Sequence, residues 1–114
     1  MTSATERLST PEFFILLVLT ENDLHGSGIA RGVEKKSQGE VRLWPVVLYR
    51  TLDELRAAGL IAELGPDRHP SGESRRRKYY GLTPSGSARL RREAERLAGL
   101  AAVALNAVNG VGSP

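Results

Sequence analysis

Four consecutive cations, Arg75, Arg76, Arg77 and Lys78, lead directly into Tyr79-Tyr80-Gly81-Leu82-Thr83. A local cluster of this kind suits phosphate, because affinity for a polyanion comes from releasing counterions at a patch. Charge runs are more often only solvated. Here a helix with the core VLYRTLDELRAAGLI precedes the run, and a helix followed by a basic hairpin is the layout of a winged helix-turn-helix. The chemistry expected is therefore recognition of duplex DNA. Arg50 points outward from the middle of that helix. It either pairs bidentately with guanine or holds a phosphate. Tyr49 either reaches a phosphate through its hydroxyl or braces the helix with a partly buried ring. Val46 or Val47 is placed to touch a thymine methyl. Asp53 and Glu54 repel phosphate, so only the N-terminal half of the helix is expected to approach DNA. Arg75 and Arg77 alternate with Arg76 and Lys78 along a strand, so part of the set faces the backbone and supplies affinity more than sequence choice. Arg68 and His69 at the hairpin tip are weaker candidates.

Other chemistries find less support. The chain has two His and no Cys, which excludes disulfides and a thiol nucleophile and leaves little for a transition-metal site. No Ser/His/acid arrangement has a supporting helix or strand context, so neither catalysis nor a cofactor is expected. Gly26 and Gly28 serve backbone turns and close packing. They form no phosphate loop, since no Gly-Lys-Ser/Thr follows. His25 reads as a helix-start or core residue, with a ligand or switch role as the alternative. Trp44 reads as a packing residue at the helix entrance, with a ligand role as its alternative.

The elements that must position these residues follow from pattern. In 114 residues there is room for one domain. Net charge is +3. Residues 1–40 carry four Lys/Arg against six Asp/Glu, and the rest carry twelve against seven, so the positive charge gathers around the hairpin and the helix after it. Residues 1–8 read as a loose arm. Ser9 and Glu12 fit a capping box with Pro11 in the first turn. The helix they start, about residues 10–21, is apolar nearly all round through Phe13-Phe14-Ile15-Leu16-Leu17-Val18-Leu19 and is expected to be buried on more than one side. A second helix covers about residues 27–37, with Ile29 and Val33 inward and Lys35 and Lys36 in the last turn. Val41 and Leu43 pack on the core. The third helix covers about 45–58, with Leu48, Leu52 and Leu55 inward and Val46, Arg50, Asp53 and Ala57 outward. Gly59 caps it in the left-handed conformation. Strands are expected at 60–64 and 78–82.

A last helix, about 84–107, carries Leu90, Ala94, Leu97, Ala101, Ala104 and Val108 at alternating spacings of four and three, an a/d seam. Its other faces are charged up to Arg96 and uncharged from Leu97 onward, which predicts a solvated first half and a protein-covered second half. At roughly 1.5 Å per residue it is too long for a small wing domain to cover, so a homodimer is expected. Phe13, Leu17, Leu90, Leu97, Ala101, Ala104, Leu105 and Val108 are its candidate contacts. The fold class is mainly α with a small β-hairpin: a winged helix-turn-helix over residues 10–83 and a dimerisation helix over 84–108. The longest apolar run, Phe13 to Leu19, is too short to span a bilayer. The N-terminal segment lacks the basic-then-apolar order of a secretory signal. A cytoplasmic protein without membrane contact is expected.

Ile15 to Leu19, Leu24-His25-Gly26-Ser27-Gly28, Leu48-Tyr49-Arg50-Thr51-Leu52, Gly59-Leu60-Ile61, Arg77-Lys78-Tyr79-Tyr80-Gly81-Leu82-Thr83 and Gly86, in this order and spacing, resemble the PadR family of transcriptional regulators over about residues 10–105. The length resembles its short subfamily, with a single C-terminal helix. The resemblance implies a winged-helix repressor that dimerises through the last helix and responds to a small molecule or stress signal. Three features depart from the family. Ser27 stands where an aromatic is usual, Trp44-Pro45 stands where small or polar residues are commoner, and the last helix lacks the Trp that stacks a planar ligand in some drug-responsive relatives. The rival expectation, from another class, is a protein-interaction module whose basic wing meets an acidic partner.

Overall fold

Ser9 starts the first helix by exchange. Its hydroxyl accepts the Glu12 backbone N–H at 3.2 Å, and the Glu12 carboxylate accepts the Ser9 N–H at 2.8 Å. The capping box expected from sequence is therefore formed, and α1 spans Thr10–Leu19. The computed structural model describes residues 7–64 and 78–111. Along them follow β1 (Leu24–His25), α2 (Gly26–Lys36), α3 (Pro45–Ala57), β2 (Ile61–Leu64), β3 (Tyr79–Leu82) and α4 (Pro84–Val111). The arrangement is mainly helical with a small antiparallel sheet, in winged helix-turn-helix order.

The sheet has one more strand than the hairpin expected. Its order is β1-β3-β2, with β3 pairing antiparallel to both neighbours. Leu24 faces Tyr80 and His25 faces Tyr79 on one side; Ile61 faces Leu82 and Leu64 faces Tyr79 on the other. A two-residue strand carries no readable alternation, which is why β1 was not legible in advance.

Ile15, Leu16, Ile29, Val33, Leu52, Leu55 and Ile61 form the innermost core, all essentially sealed from solvent. They come from α1, α2, α3 and β2, so one cluster fixes the helix-turn-helix and the sheet together. Ile29 with Val33, and Leu48 with Leu52 and Leu55, are buried at the helical spacings read from sequence. Val41 and Leu43 pack against the cluster from the α2–α3 connection. In that connection Ser37 is buried, and its hydroxyl accepts the Val41 N–H at 2.9 Å.

Two corrections concern the ends. Leu8 is half-buried against the core rather than part of a loose arm. Glu93, on the supposedly solvated part of the last helix, is buried. Arg96 one turn on chelates its carboxylate, and Leu8 adds a backbone hydrogen bond. Together these offset the cost of desolvating the charge.

The hairpin is tied to α4 at one residue. The Thr83 hydroxyl donates to the Gly59 carbonyl at 2.7 Å and accepts the Gly86 N–H at 3.0 Å, capping α4. Gly86 lies so close to Leu60 that a Cβ there would overlap the Leu60 carbonyl.

Candidate nucleic-acid interface

α3 turns Leu48, Thr51, Leu52 and Leu55 into the core and leaves its other side bare. Val46 is 76% exposed and Tyr49 48%; Arg50 and Asp53 are exposed, while Val47 is half-buried. The outward set expected from periodicity therefore faces solvent. Arg50 has no ion-pair partner among the described residues. Arg56 lies 3.9 Å from Asp53, one turn away. The cation and the carboxylates thus divide the helix: Val46 and Arg50 toward its start, Asp53 and Glu54 toward its end.

Trp44 does not pack at the helix entrance as expected. It is 69% exposed, stands at the N-cap of α3 and makes no side-chain cap hydrogen bond. It forms one wall of a shallow cleft of about 190 Å³ with Ala30, Arg31, Glu34, Arg42 and Leu43. Arg31 and Arg42 are exposed cations that sequence reasoning did not assign. Arg42 is 3.4 Å from Glu34. Arg31 was readable as an outward position between Ile29 and Val33. Trp44 precedes the helix, so periodicity said nothing of its burial.

Tyr49 leans over the start of α2; its hydroxyl fills the space a Cβ on Gly26 would need. A larger cleft, about 520 Å³, lies between α2, α3 and the sheet. Its walls include His25, Ser27, Tyr49, Asp53, Lys78 and Tyr80. Of the expected contact residues it brings together Tyr49 and Lys78. Burial pushes the Tyr80 phenol above its ordinary value, and the Glu63 and Asp53 carboxylates add to this. His25 is the N-cap of α2: its Nδ1 accepts the Gly28 N–H at 2.9 Å, which puts the ring proton of the neutral imidazole on Nε2. Lys78 is exposed at the foot of β3. Arg75, Arg76 and Arg77, with Arg68 and His69, lie outside the described residues.

The candidate dimer contacts fall in two groups. Phe13 and Leu17 on α1 are half-buried, and Leu90 belongs to the chain's own core. With Thr20, Ser87, Ala94 and Ala98 among others they line a groove of about 480 Å³ between α1 and α4. Leu97, Ala101, Ala104, Leu105 and Val108 stand further along α4, all exposed. No helix among the described residues is long and apolar enough to cross a membrane.

The model of the transcriptional regulator PadR-like family matches residues 15–92. Solved structures share the fold. A PadR family transcription regulator from Clostridium difficile superposes with a TM-score of 0.71 at 23% identity, covering 88% of this chain and 99% of that one. The protein smu.1704 from Streptococcus mutans gives 0.69 at 25% identity, covering 91% and 92%. A transcriptional regulator from Clostridium thermocellum gives 0.66 at 22% identity, covering 90% and 92%. No curated protein matches the chain.

Proposed function

This chain belongs to the PadR-like family of transcriptional regulators, and from that premise we propose that it is a homodimeric repressor of a pseudo-palindromic operator. Each α3 enters a major groove with Val46, Val47, Tyr49 and Arg50 toward the bases and adjoining backbone. Each wing holds flanking phosphates through Arg75, Arg76, Arg77 and Lys78. Residues 10–83 act as the DNA-binding unit and 84–108 as the dimerisation helix. The observation that carries this reading is the bare side of α3. Arg50, without an ion-pair partner among the described residues, and the exposed Val46 share it one turn apart, and an exposed lysine, Lys78, stands at the foot of the wing.

The groove between α1 and α4 supports a further element. With a partner's α4 laid along it, it becomes a covered space, apolar along Phe13, Leu17 and Leu90 with Arg91 and Glu95 in its wall, suited to a small-molecule effector. An effector that binds one spacing of the two α3 helices better than another would shift the population away from the DNA-competent dimer.

The test is binding of the full chain to the DNA upstream of its own coding sequence, beside a scrambled duplex, at two salt concentrations. The expected result is selective binding that weakens with salt by about 0.9 log unit per tenfold change for each phosphate neutralised. Arg50→Ala should alter preference among sequences. Arg76→Ala should weaken all duplexes alike. If neither variant changes binding to any duplex, the DNA reading fails, and a module that binds an acidic protein through its wing takes its place.

A further inference from the structure

Trp44, Pro45 and Val46 are three consecutive exposed residues at the tip of α3. A single exposed apolar side chain needs no explanation. An indole 69% exposed beside an isopropyl group 76% exposed, at the start of the helix whose other side builds the core, calls for one. Val47, the other valine placed for base contact, is half-buried, so Val46 presents the more exposed isopropyl group. Val46 and Arg50 are four apart and so share a face, and Trp44 stands just ahead of them.

The surroundings choose the occupant. Arg31 and Arg42 line the small cleft with the indole, as does Glu34, which pairs with Arg42 at 3.4 Å, and Arg50 follows on the next turn of α3. An apolar protein surface would not match Arg31 and Arg50, neither of which has an ion-pair partner among the described residues. A phosphate backbone alone would not match the indole and isopropyl groups. A polyanion with isolated apolar groups matches both. In the major groove of DNA that group is the C5-methyl of thymine, the one base feature read by apolar contact. Helices of this class present their N-terminal residues to base edges.

We infer that Trp44 and Val46 form a thymine-reading tip and that each operator half-site carries thymine next to the position met by Arg50. This rests on the DNA-binding reading above and adds to it a sequence preference. Trp44 is a specificity residue, and Val46 reads the methyl rather than merely lying near the groove. Removing one buried methyl contact costs about fourfold in affinity, by the worth of one methylene-sized group. Two half-sites make the effect about fifteenfold.

The experiment uses the full chain and the DNA upstream of its own coding sequence, amplified once with thymidine and once with deoxyuridine triphosphate. The two duplexes differ in the methyl group alone. Wild type should bind the thymine duplex about fifteenfold more tightly. The double variant Trp44→Ala, Val46→Ala should bind both duplexes equally, while its thermal unfolding stays that of wild type because neither side chain is in the core. Trp44 is the sole tryptophan, so emission reports this position directly. The neutral quencher acrylamide should reach it in the free protein and be shut out in the thymine complex. Equal affinity of wild type for the two duplexes overturns the inference. So does a preference that survives in the double variant, or an indole still open to acrylamide on bound DNA. If wild type binds neither duplex, the DNA reading itself falls; if it binds both alike, only the thymine tip falls.

Discussion

Glu93 shows how one side chain joins distant parts of the chain. The Arg96 guanidinium grips its carboxylate and holds it below the ordinary value of 4.5, against the opposing effect of burial; a backbone hydrogen bond from Leu8 and the charge of Arg7 add to the lowering. Through it the segment before α1 is fastened to the middle of α4. A carboxylate whose folded value is depressed contributes stability in full above its unfolded value, near 4.5, and loses it as pH falls through the folded value. Acid should therefore loosen this junction. Glu93→Gln should lower stability at neutral pH, by less than the roughly 1.5–3 kcal/mol of a charged hydrogen bond because Arg96 is half-exposed. It should also flatten the fall of stability below about pH 4.5. Denaturant melts of both proteins from pH 7 to pH 3 check this; parallel curves would mean that the Glu93 carboxylate contributes nothing to acid sensitivity.

At the scale of elements, two helices end in the same way with different residues. After α3, Leu60 N–H reaches the Leu55 carbonyl and Gly59 N–H the Arg56 carbonyl, both at 3.0 Å, with Gly59 at φ +80°. After α2, Gly39 N–H reaches Glu34 and Gln38 N–H reaches Lys35, at 2.8 and 3.1 Å. There two successive residues are left-handed, Gln38 at φ +55° and Gly39 at φ +81°, and only Gln38 carries a Cβ. A Cβ in that conformation costs about 1 kcal/mol, so Gln38→Gly should stabilise the fold by about 0.5 kcal/mol after the entropy of the unfolded glycine is deducted. Thermal unfolding at fixed protein concentration measures it; a lower midpoint would mean that the side chain contributes more than its strain. This pair also marks what sequence can and cannot tell. Gly59, the Ser9–Glu12 box and the Leu48-Leu52-Leu55 face were legible because each is a local rule obeyed locally. Gln38 was not, because glutamine does not announce a left-handed turn and the neighbouring Gly39 drew the turn to itself. β1 was not, because its two residues form a strand only through β3, which lies over fifty residues away in sequence. Within the candidate site, the exposure of Val46 and Arg50 followed from the 100° step of the helix, which put Tyr49 only on the flank. That of Trp44 did not, since it lies outside the helix and depends on how α2 passes beneath it.

For the whole molecule the unanswered surface is the far half of α4. Every residue from Leu97 to Val111 is exposed in the single chain. Yet Leu97, Leu100, Ala101, Ala104, Leu105, Val108 and Val111 all fall within one apolar arc at 100° per residue, with Asn106 opposite. A helix of this length with no tertiary contact is marginal in water. This one runs four residues past its expected end at Ala107, to Val111. An apolar patch of that extent on a monomer marks an interaction surface, and the groove between α1 and α4 is apolar along Phe13, Leu17 and Leu90. If the two surfaces are both dimer contacts, a second copy satisfies both at once by two-fold symmetry. Leu97→Glu with Ala101→Glu puts two charges on the arc while leaving the core cluster untouched. Sedimentation should then give the monomer mass, against a dimer for wild type, and operator affinity should fall because two half-sites are no longer joined. The far half of α4 should also lose helix content by circular dichroism, since its side chains are all exposed in the single chain. A variant that still sediments as a dimer would place the interface elsewhere. The apolar arc would then need another partner.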